Sequence, residues 1–499
     1  MKLTAEKLKD LTIRSAHEAL MKGDFTAVEL AEAYLAEIEK KNPELNAYLE
    51  VFADVIDQAK EADRKIAEAK KEGKESELDI LIGIPMAIKD NILIKGRIAS
   101  SASKMLENYT ATYSATVIEK LKAKGVVFLG RTNMDEFAMG GSTENSAYGI
   151  TKNPHDPTCV PGGSSGGSAT AVGGNMCLAA LGSDTGGSIR QPSAFCGTVG
   201  LKPTYGSVSR YGVMAMASSL DQIGPIAKTV EDAEIIYDAI RGFDRYDSTS
   251  YDLPEIPASA KSFGEARKIK IGVPESFLNQ GGIDEVVLKN FRETLAKLEK
   301  AGCEIKTVEM PNLHYSLATY YITVFSEVSA NMARFDGVRY GSHLEGKDLL
   351  EDYMKTRGEK LGREVRRRIM LGTYVLSAGY YDAYYNKATQ VRELIRRDYA
   401  KAFDEVDIVA TPVAPSSAYP IGKNTNDPLQ MYLEDIFTVP INMAGVPGMA
   451  VPTRLGSSEL RRGEAGNTDH LPLSIQIVAP WRRDDILFTL GKIIESCRA

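Results

Sequence analysis

The chain has 499 residues, 43% hydrophobic and 25% charged, with a formal net charge of −7. That length allows a large buried core, and the acidic balance argues against a protein whose main act is gripping nucleic acid, which carries a basic footprint. Five cysteines (Cys159, Cys177, Cys196, Cys303 and Cys497) without C-x-x-C spacing argue against structural zinc and against a disulfide framework.

In chain order, the start MKLTAEKLKDLTIRSAHEAL is amphipathic and lacks the apolar centre of a signal peptide. No run of about 18 apolar residues follows, so a cytoplasmic protein is expected. Residues 3 to about 75 read as helices. Apolar residues recur at helical spacing in TAVELAEAYLAEIEKK, and Thr26 with Glu29 makes a capping box. ELDILIGIPMAIKD changes period and reads as a buried strand, bounded by Gly83 and Pro85. Helix SATVIEKLKAKG and strand VVFLGRT come next.

PGGSSGGSATAVGGNMCLAALGSDTGGSIRQPS is rich in Gly and Ser, yet its apolar run reads as helix, short strand and loop. A flexible linker would not carry that run. A helix from about Thr229 leads to a proline-bearing polar connector around 251–263, then to strand KIKIGVPE. Helices dominate from about 283 to 405, with strands at CEIKTVEM and VDIVATPV. GMAVPT and LPLSIQIVA read as the last strands, separated by a polar loop over 454–470. The mixture predicts an α/β protein, one large unit with a helical periphery. The expected division is an N-terminal helical segment, 1–75, packed on a core of 76–499.

Several short motifs offer chemistry. Ser101 to Lys104 fits S-x-x-K, but the K-T-G and S-D-N partners of that motif are missing. Gly162 to Gly166 fits the G-x-S-x-G elbow, which needs a histidine base, and the late His470 sits in the polar loop. No G-K-[ST] follows the glycines, so a phosphate-binding loop is not supported. The scattered histidines have no metal-ligand spacing. What remains is nucleophilic catalysis without histidine. A serine hydroxyl needs a neighbouring base, and a lysine serves if burial keeps it neutral. Lys89 ends an apolar strand and suits that role, though a surface lysine at a strand end fits equally well. The glycines of GSDTGGSIRQPS let backbone N–H groups converge on an oxyanion, with Ser188 closing the cluster. A glycine-rich turn before a helix is the plainer alternative.

PGGSSGGSATAVGGNMCLAALGSDTGGSIRQPSAFCGTVGLKPTYG closely resembles the signature of the amidase-signature enzymes, extended by GIPMAIKDN upstream and SSLDQIGPIAKTVEDA downstream. The resemblance runs from about residue 5 to the C-terminus. It implies a large mixed β-sheet with helices on both faces and a Ser–cis-Ser–Lys triad. Ser188 is then the nucleophile and Lys89 the base. Ser164 is the bridging serine, after a cis peptide from Gly163. Thr185, Gly186 and Gly187, with Ser188, supply oxyanion-hole N–H groups. One departure is Ala99-Ser100, where family members generally carry two threonines.

RTNMDEFAMGGSTENSAYG, SANMARFDGVRYG, EVRRRIMLGTYVLSAGYYDAYYNKA and DPLQMYLEDIFTVPINMAGVPG resemble the subgroup of that family that serves tRNA-dependent amidotransferases. This implies glutamine as substrate, with Arg368 on its carboxylate, Asp435 on its ammonium and Tyr320 lining the pocket. Arg367 and Tyr321 are the neighbouring alternatives. It further implies a heterotrimer with B and C subunits, no cofactor on this chain, ATP and Mg²⁺ on the partner, and mischarged tRNA held mainly by the B subunit. Glu-tRNA(Gln) is the expected acceptor, with Asp-tRNA(Asn) as a further possibility. The competing readings are a stand-alone amidase for another small amide and a non-catalytic assembly subunit.

Overall fold

The computed structural model describes residues 3–252, 268–279, 282–424, 427–456 and 470–498. The connector expected around 251–263 and the loop expected over 454–470 lie mostly outside the described residues. Within them, eleven strands form one sheet. In sequence they are β1 (Tyr48–Val51), β2 (Pro85–Lys89), β3 (Val127–Thr132), β4 (Ala179–Asp184), β5 (Val199–Lys202), β6 (Gln222–Ala227), β7 (Lys270–Val273), β8 (Glu304–Thr307), β9 (Ile408–Pro412), β10 (Gly448–Arg454) and β11 (Leu473–Val478). Their order across the sheet is β1-β3-β2-β4-β6-β5-β10-β11-β9-β7-β8.

The sheet is mixed. β3, β2 and β4 run parallel, as do β8, β7 and β9. Between β4 and β9 every pairing is antiparallel. Every residue of β2, β4, β5, β6, β9 and β11 is buried, as in a sheet covered on both faces. This is the α/β architecture expected.

Two regions differ from the sequence reading. Residues 3–75 are not wholly helical: between the helices Ala27–Leu45 and Val55–Glu72, β1 pairs with β3 at the sheet edge. Four residues between two strong helical patterns carry too little period to be read. β5 and β6 were also not expected. β6 reads QIGPIA, and a proline and a glycine in a short run resemble a loop. The structure places Pro225 opposite Leu181 in mid-sheet.

The capping box is present: Thr26 Oγ1 accepts the Glu29 N–H (3.1 Å), and Glu29 Oε2 accepts the Thr26 N–H (2.8 Å). Leu8, Ile13, Leu30 and Tyr34 of the N-terminal helices share one apolar core with Ile88, Leu181 and Ile477 of the sheet. No helix among the described residues is long and apolar enough to cross a membrane.

Two features position the site. β2 and β4 are parallel neighbours, with Ile88 opposite Leu181, so their carboxyl ends meet, the usual ligand-binding edge of α/β sheets. β4 then runs into the glycine loop and the helix Arg190–Cys196. Against this edge, the helices Ser316–Asn331, Arg363–Val375 and Val439–Ala444 form a second wall.

Candidate active site

Lys89, the last residue of β2, is 0% exposed. Its Nζ lies 2.8 Å from Ser164 Oγ, 2.8 Å from Ser165 Oγ and 2.9 Å from Ser183 Oγ. Burial drives its pKa down to about 7, with Asp135, Asp184 and Asp221 only partly opposing the shift. A lysine surrounded by hydroxyls at that pKa is a usable base near neutrality. The Gly163–Ser164 peptide is cis, as the resemblance implies. Ser165 N–H donates to the Ser188 carbonyl (3.1 Å), which stitches the two serine loops together.

In the glycine loop, Ser188 is 8% exposed while Asp184 and Thr185 are at 0% and 1%. The loop is held from below. Arg190 donates to both Asp184 oxygens (3.0 Å each), to the Thr438 carbonyl (3.1 Å) and to Gln476 Oε1 (2.7 Å). Burial opposes the Asp184 charge, but Arg190 and the Asn442 amide hold its pKa down at about 2. Asp221 Oδ1 accepts the Thr185 hydroxyl (2.7 Å). Gly187 sits at φ +127°, a backbone setting for glycine, and a methyl there would strike Thr438.

Gly187 departs from its expected role. Its N–H is donated to Asp184 Oδ1 at 2.9 Å and is therefore committed to the loop's own support. The N–H groups of Thr185, Gly186 and Ser188 have no such partner among the described residues.

The facing wall carries the charged groups. Arg368 is 3% exposed, and its Nε donates to Glu364 Oε1 at 2.8 Å. Its guanidinium lies 5.7 Å from the Tyr321 ring and 5.5 Å from the Tyr432 ring. Burial opposes its charge, yet Glu364 and the tyrosines raise its pKa above the ordinary value. Arg367 also pairs with Glu364 but is 27% exposed, so Arg368 is the inward member. Asp435 accepts the Tyr321 hydroxyl at 2.6 Å. Burial lifts Asp435 to about 7, opposed by Tyr321 and Arg368. The Tyr320 hydroxyl packs so close to Gly186 that a methyl there would collide with it. Thr438 closes the circle: its hydroxyl lies 2.5 Å from the Gly186 carbonyl and 3.1 Å from that of Asp435. Nine residues singled out from the sequence thus meet at one junction of sheet edge and helical wall.

The amidase family model matches residues 29–488. The chain belongs to the amidase family. It is 48% identical over 486 residues to the A subunit of the glutamyl-tRNA(Gln) amidotransferase of Geotalea daltonii, covering 96% of each chain. The corresponding protein of Microcystis aeruginosa is likewise 48% identical over 486 residues, with 97% of each covered. The crystal structure of the glutamyl-tRNA(Gln) amidotransferase A subunit from Thermotoga maritima matches with a TM-score of 0.76 and 39% identity, over 98% of this chain and 95% of that one.

In this amidase the decoy motifs dissolve. His470 pairs with Asp156 (2.9 Å) rather than with a serine, and Lys104 lies over the Tyr148 ring (4.1 Å). Ser100 of the divergent pair donates to Asp90 (2.5 Å), next to Lys89. A surface cleft of about 1480 Å³ is lined by Arg97, Lys120 and Tyr113 and holds none of the expected site residues. A cavity of about 240 Å³ opens beside the wall, between Ser142, Glu144 and Asn145 and the pair Glu364 and Arg367.

Supporting residues escaped the sequence reading: Asp184, Arg190, Asp221, Glu364, Tyr432 and Thr438. Glu364 had a signal, four positions before Arg368 on a helix. Asp184 and Arg190 flank the nucleophile loop symmetrically, but only the fold shows that they pair.

Proposed function

We propose that this chain is the glutamine-hydrolysing subunit of a tRNA-dependent amidotransferase. The observation that carries the reading is the wall itself, where a charged arginine and a titratable acid stand apart on one aromatic face. Arg368 is paired with Glu364 through Nε, which leaves its terminal N–H groups for a carboxylate. Asp435 is held by a tyrosine hydroxyl and, among the described residues, by no cation within ion-pair distance, which suits an incoming ammonium. A pocket for a fatty or simple alkyl amide has no use for that pair.

Ser188 Oγ attacks the side-chain amide of glutamine. Its proton moves to Ser164 as the Ser164 proton moves to neutral Lys89 Nζ. Thr185, Gly186 and Ser188 N–H groups receive the negative oxygen. The C–N bond then breaks, and the proton returns through Ser164 to the leaving nitrogen, which departs as ammonia. Water cleaves the glutamyl ester by the same route and releases glutamate. Tyr320 backs the oxyanion loop.

The ammonia passes to the B subunit, which binds ATP, Mg²⁺ and mischarged tRNA. There it amidates Glu-tRNA(Gln), with Asp-tRNA(Asn) as a second acceptor. Together with the C subunit, these chains form a cytoplasmic heterotrimer. This chain itself carries no cofactor. The names of the relatives and the acidic charge of this chain support that division of labour. The test is co-purification followed by a glutaminase assay with mischarged tRNA and ATP. A complex whose glutaminase rate rises with Glu-tRNA(Gln) supports the reading; a fully active lone chain indifferent to glutamine overturns it.

A further inference from the structure

The catalytic edge and the helical wall are joined at one dipeptide, Asp135-Glu136. Asp135 belongs to the serine loops: its N–H donates to the Ser164 carbonyl (3.3 Å), and its carboxylate accepts the N–H groups of Thr143 (2.9 Å) and Asn145 (3.1 Å). Glu136, 2% exposed, reaches the opposite way. Its Oε2 accepts the Gly362 N–H at 2.7 Å, and its Oε1 accepts the Ser103 hydroxyl at 2.5 Å. Gly362 is the N-cap of the helix Arg363–Val375, which carries Glu364 and Arg368. A Cβ at position 362 would run into the Glu136 carboxylate, so glycine is what lets the acid close on the helix start. A carboxylate there also meets the positive end of the helix dipole.

The joint extends back to the base. Ser101 N–H donates to the Asp90 carbonyl (3.2 Å) and Ala102 N–H to its carboxylate (2.8 Å), one residue beyond Lys89. Phe137 N–H donates to the Ser101 carbonyl (2.9 Å). Ser101, Ala102, Phe137 and Ala138 all lie in the left-handed region, at φ +50°, +51°, +49° and +63°. Four non-glycine residues held there at one joint show tertiary contacts dictating the backbone, a pattern that gathers at functional sites.

We infer that Glu136 is a positioning residue that latches the Arg368 helix to the Lys89–Ser164 side and so fixes the reach of the substrate clamp to the reacting serine. This rests on the reading of Arg368 as the clamp for the glutamine carboxylate. The Arg366 charge on the latched helix favours the ionised form of the acid, while its guanidinium donates to the Gly358 carbonyl (2.8 Å). Across the joint, the Lys360 carbonyl shares the Ser103 hydroxyl (3.4 Å), while the Lys360 and Lys104 ammoniums are taken by Glu107 (2.8 and 3.7 Å). Burial lifts Glu136 to about 7, against the pull of Ser103, Gly362 and Arg366. Protonation therefore loosens the latch as pH falls below neutrality.

The test is Glu136→Gln in the full-length chain as it purifies from its host, read two ways. Hydrogen exchange of amides 362–368 should quicken, with exchange in β2 and β4 unchanged. The KM for glutamine should rise about tenfold, the scale of a lost hydrogen bond to a charged group, with kcat within about threefold. The slope of log KM against pH below 7 should become shallower, because one of two titrating acids is gone. Gly362→Ala should mimic the effect, and pairing it with Glu136→Ala should add little to either change alone. Unchanged exchange at 362–368 overturns the latch. Quickened exchange with KM unmoved, or with kcat falling as far as KM rises, overturns its positioning role. A wild-type chain that does not hydrolyse glutamine sinks the functional reading and the positioning role with it, while the exchange result still decides the latch.

Discussion

Lys89 and Arg368 are both buried cations, and the structure treats them oppositely. Lys89 is met by three serine hydroxyls, and burial takes its pKa down to about 7. Arg368 is met by a carboxylate and two aromatic faces, and its charge is reinforced. Depth alone does not decide whether a buried group keeps its charge; the chemistry of its neighbours does. In the proposed reaction, one side of the site thus supplies a base that must shed its proton, and the other a clamp that must never lose its charge.

That contrast can be broken by separating chemistry from binding. Ser188→Ala should lower kcat by about four orders of magnitude or more, while calorimetric binding of glutamine stays close to wild type; loss of binding would place Ser188 in the clamp instead. Lys89→Met should cost about a hundredfold to ten-thousandfold in kcat. In the wild type, kcat should climb with pH to a plateau just above 7, because protonated Lys89 accepts no proton, and the variant's residual rate should lack that limb.

Asp435→Asn acts on the other side. It should raise the glutamine KM by about tenfold to a hundredfold with kcat little altered. Wild-type KM should rise as pH falls below 7, where the raised carboxyl of Asp435 takes up a proton, and the Asn variant should show less of that rise. The smallest effect concerns stability. Lys89 binds a proton in the unfolded chain up to about pH 10.4 but is released from it in the fold above about 7. Stability it withholds at neutral pH is therefore regained as pH rises from 7 toward 10. Lys89→Met should flatten the rise of Tm over that window without abolishing it, because buried Lys202 is also depressed to about 7.

The two sides were unequally legible. The serine loops are contiguous in sequence, so their glycines and hydroxyls stand out as a run, while Lys89, a charge ending an apolar strand, was open to two readings until the family resemblance chose the base. The wall is drawn from residues 320, 364, 368 and 432, on three helices, and from 435 and 438 in the turn 434–438, where each residue alone reads as ordinary. Arg368 and Asp435 became visible only through family resemblance, and the Glu364 pairing needed the fold. Gly187 shows the opposite limit. Its residue type was readable, but the direction of its N–H depends on Asp184 folding back beneath it. Among the strands, β6 was hidden because Pro225 contradicts the local habit of strands, a conflict that the flanking β4 and β5 override.

The order of the sheet has a consequence for how the chain is made. β10 and β11, the last in sequence of the eleven described strands, lie between β5 and β9. Without them, the strands from residues 48–227 and those from 270–412 would share no pairing and would stand as two half-sheets. Each ends in a bare edge, β5 on one and β9 on the other, able to pair with another nascent chain. The helical wall that carries Arg368 precedes both of these strands in the chain.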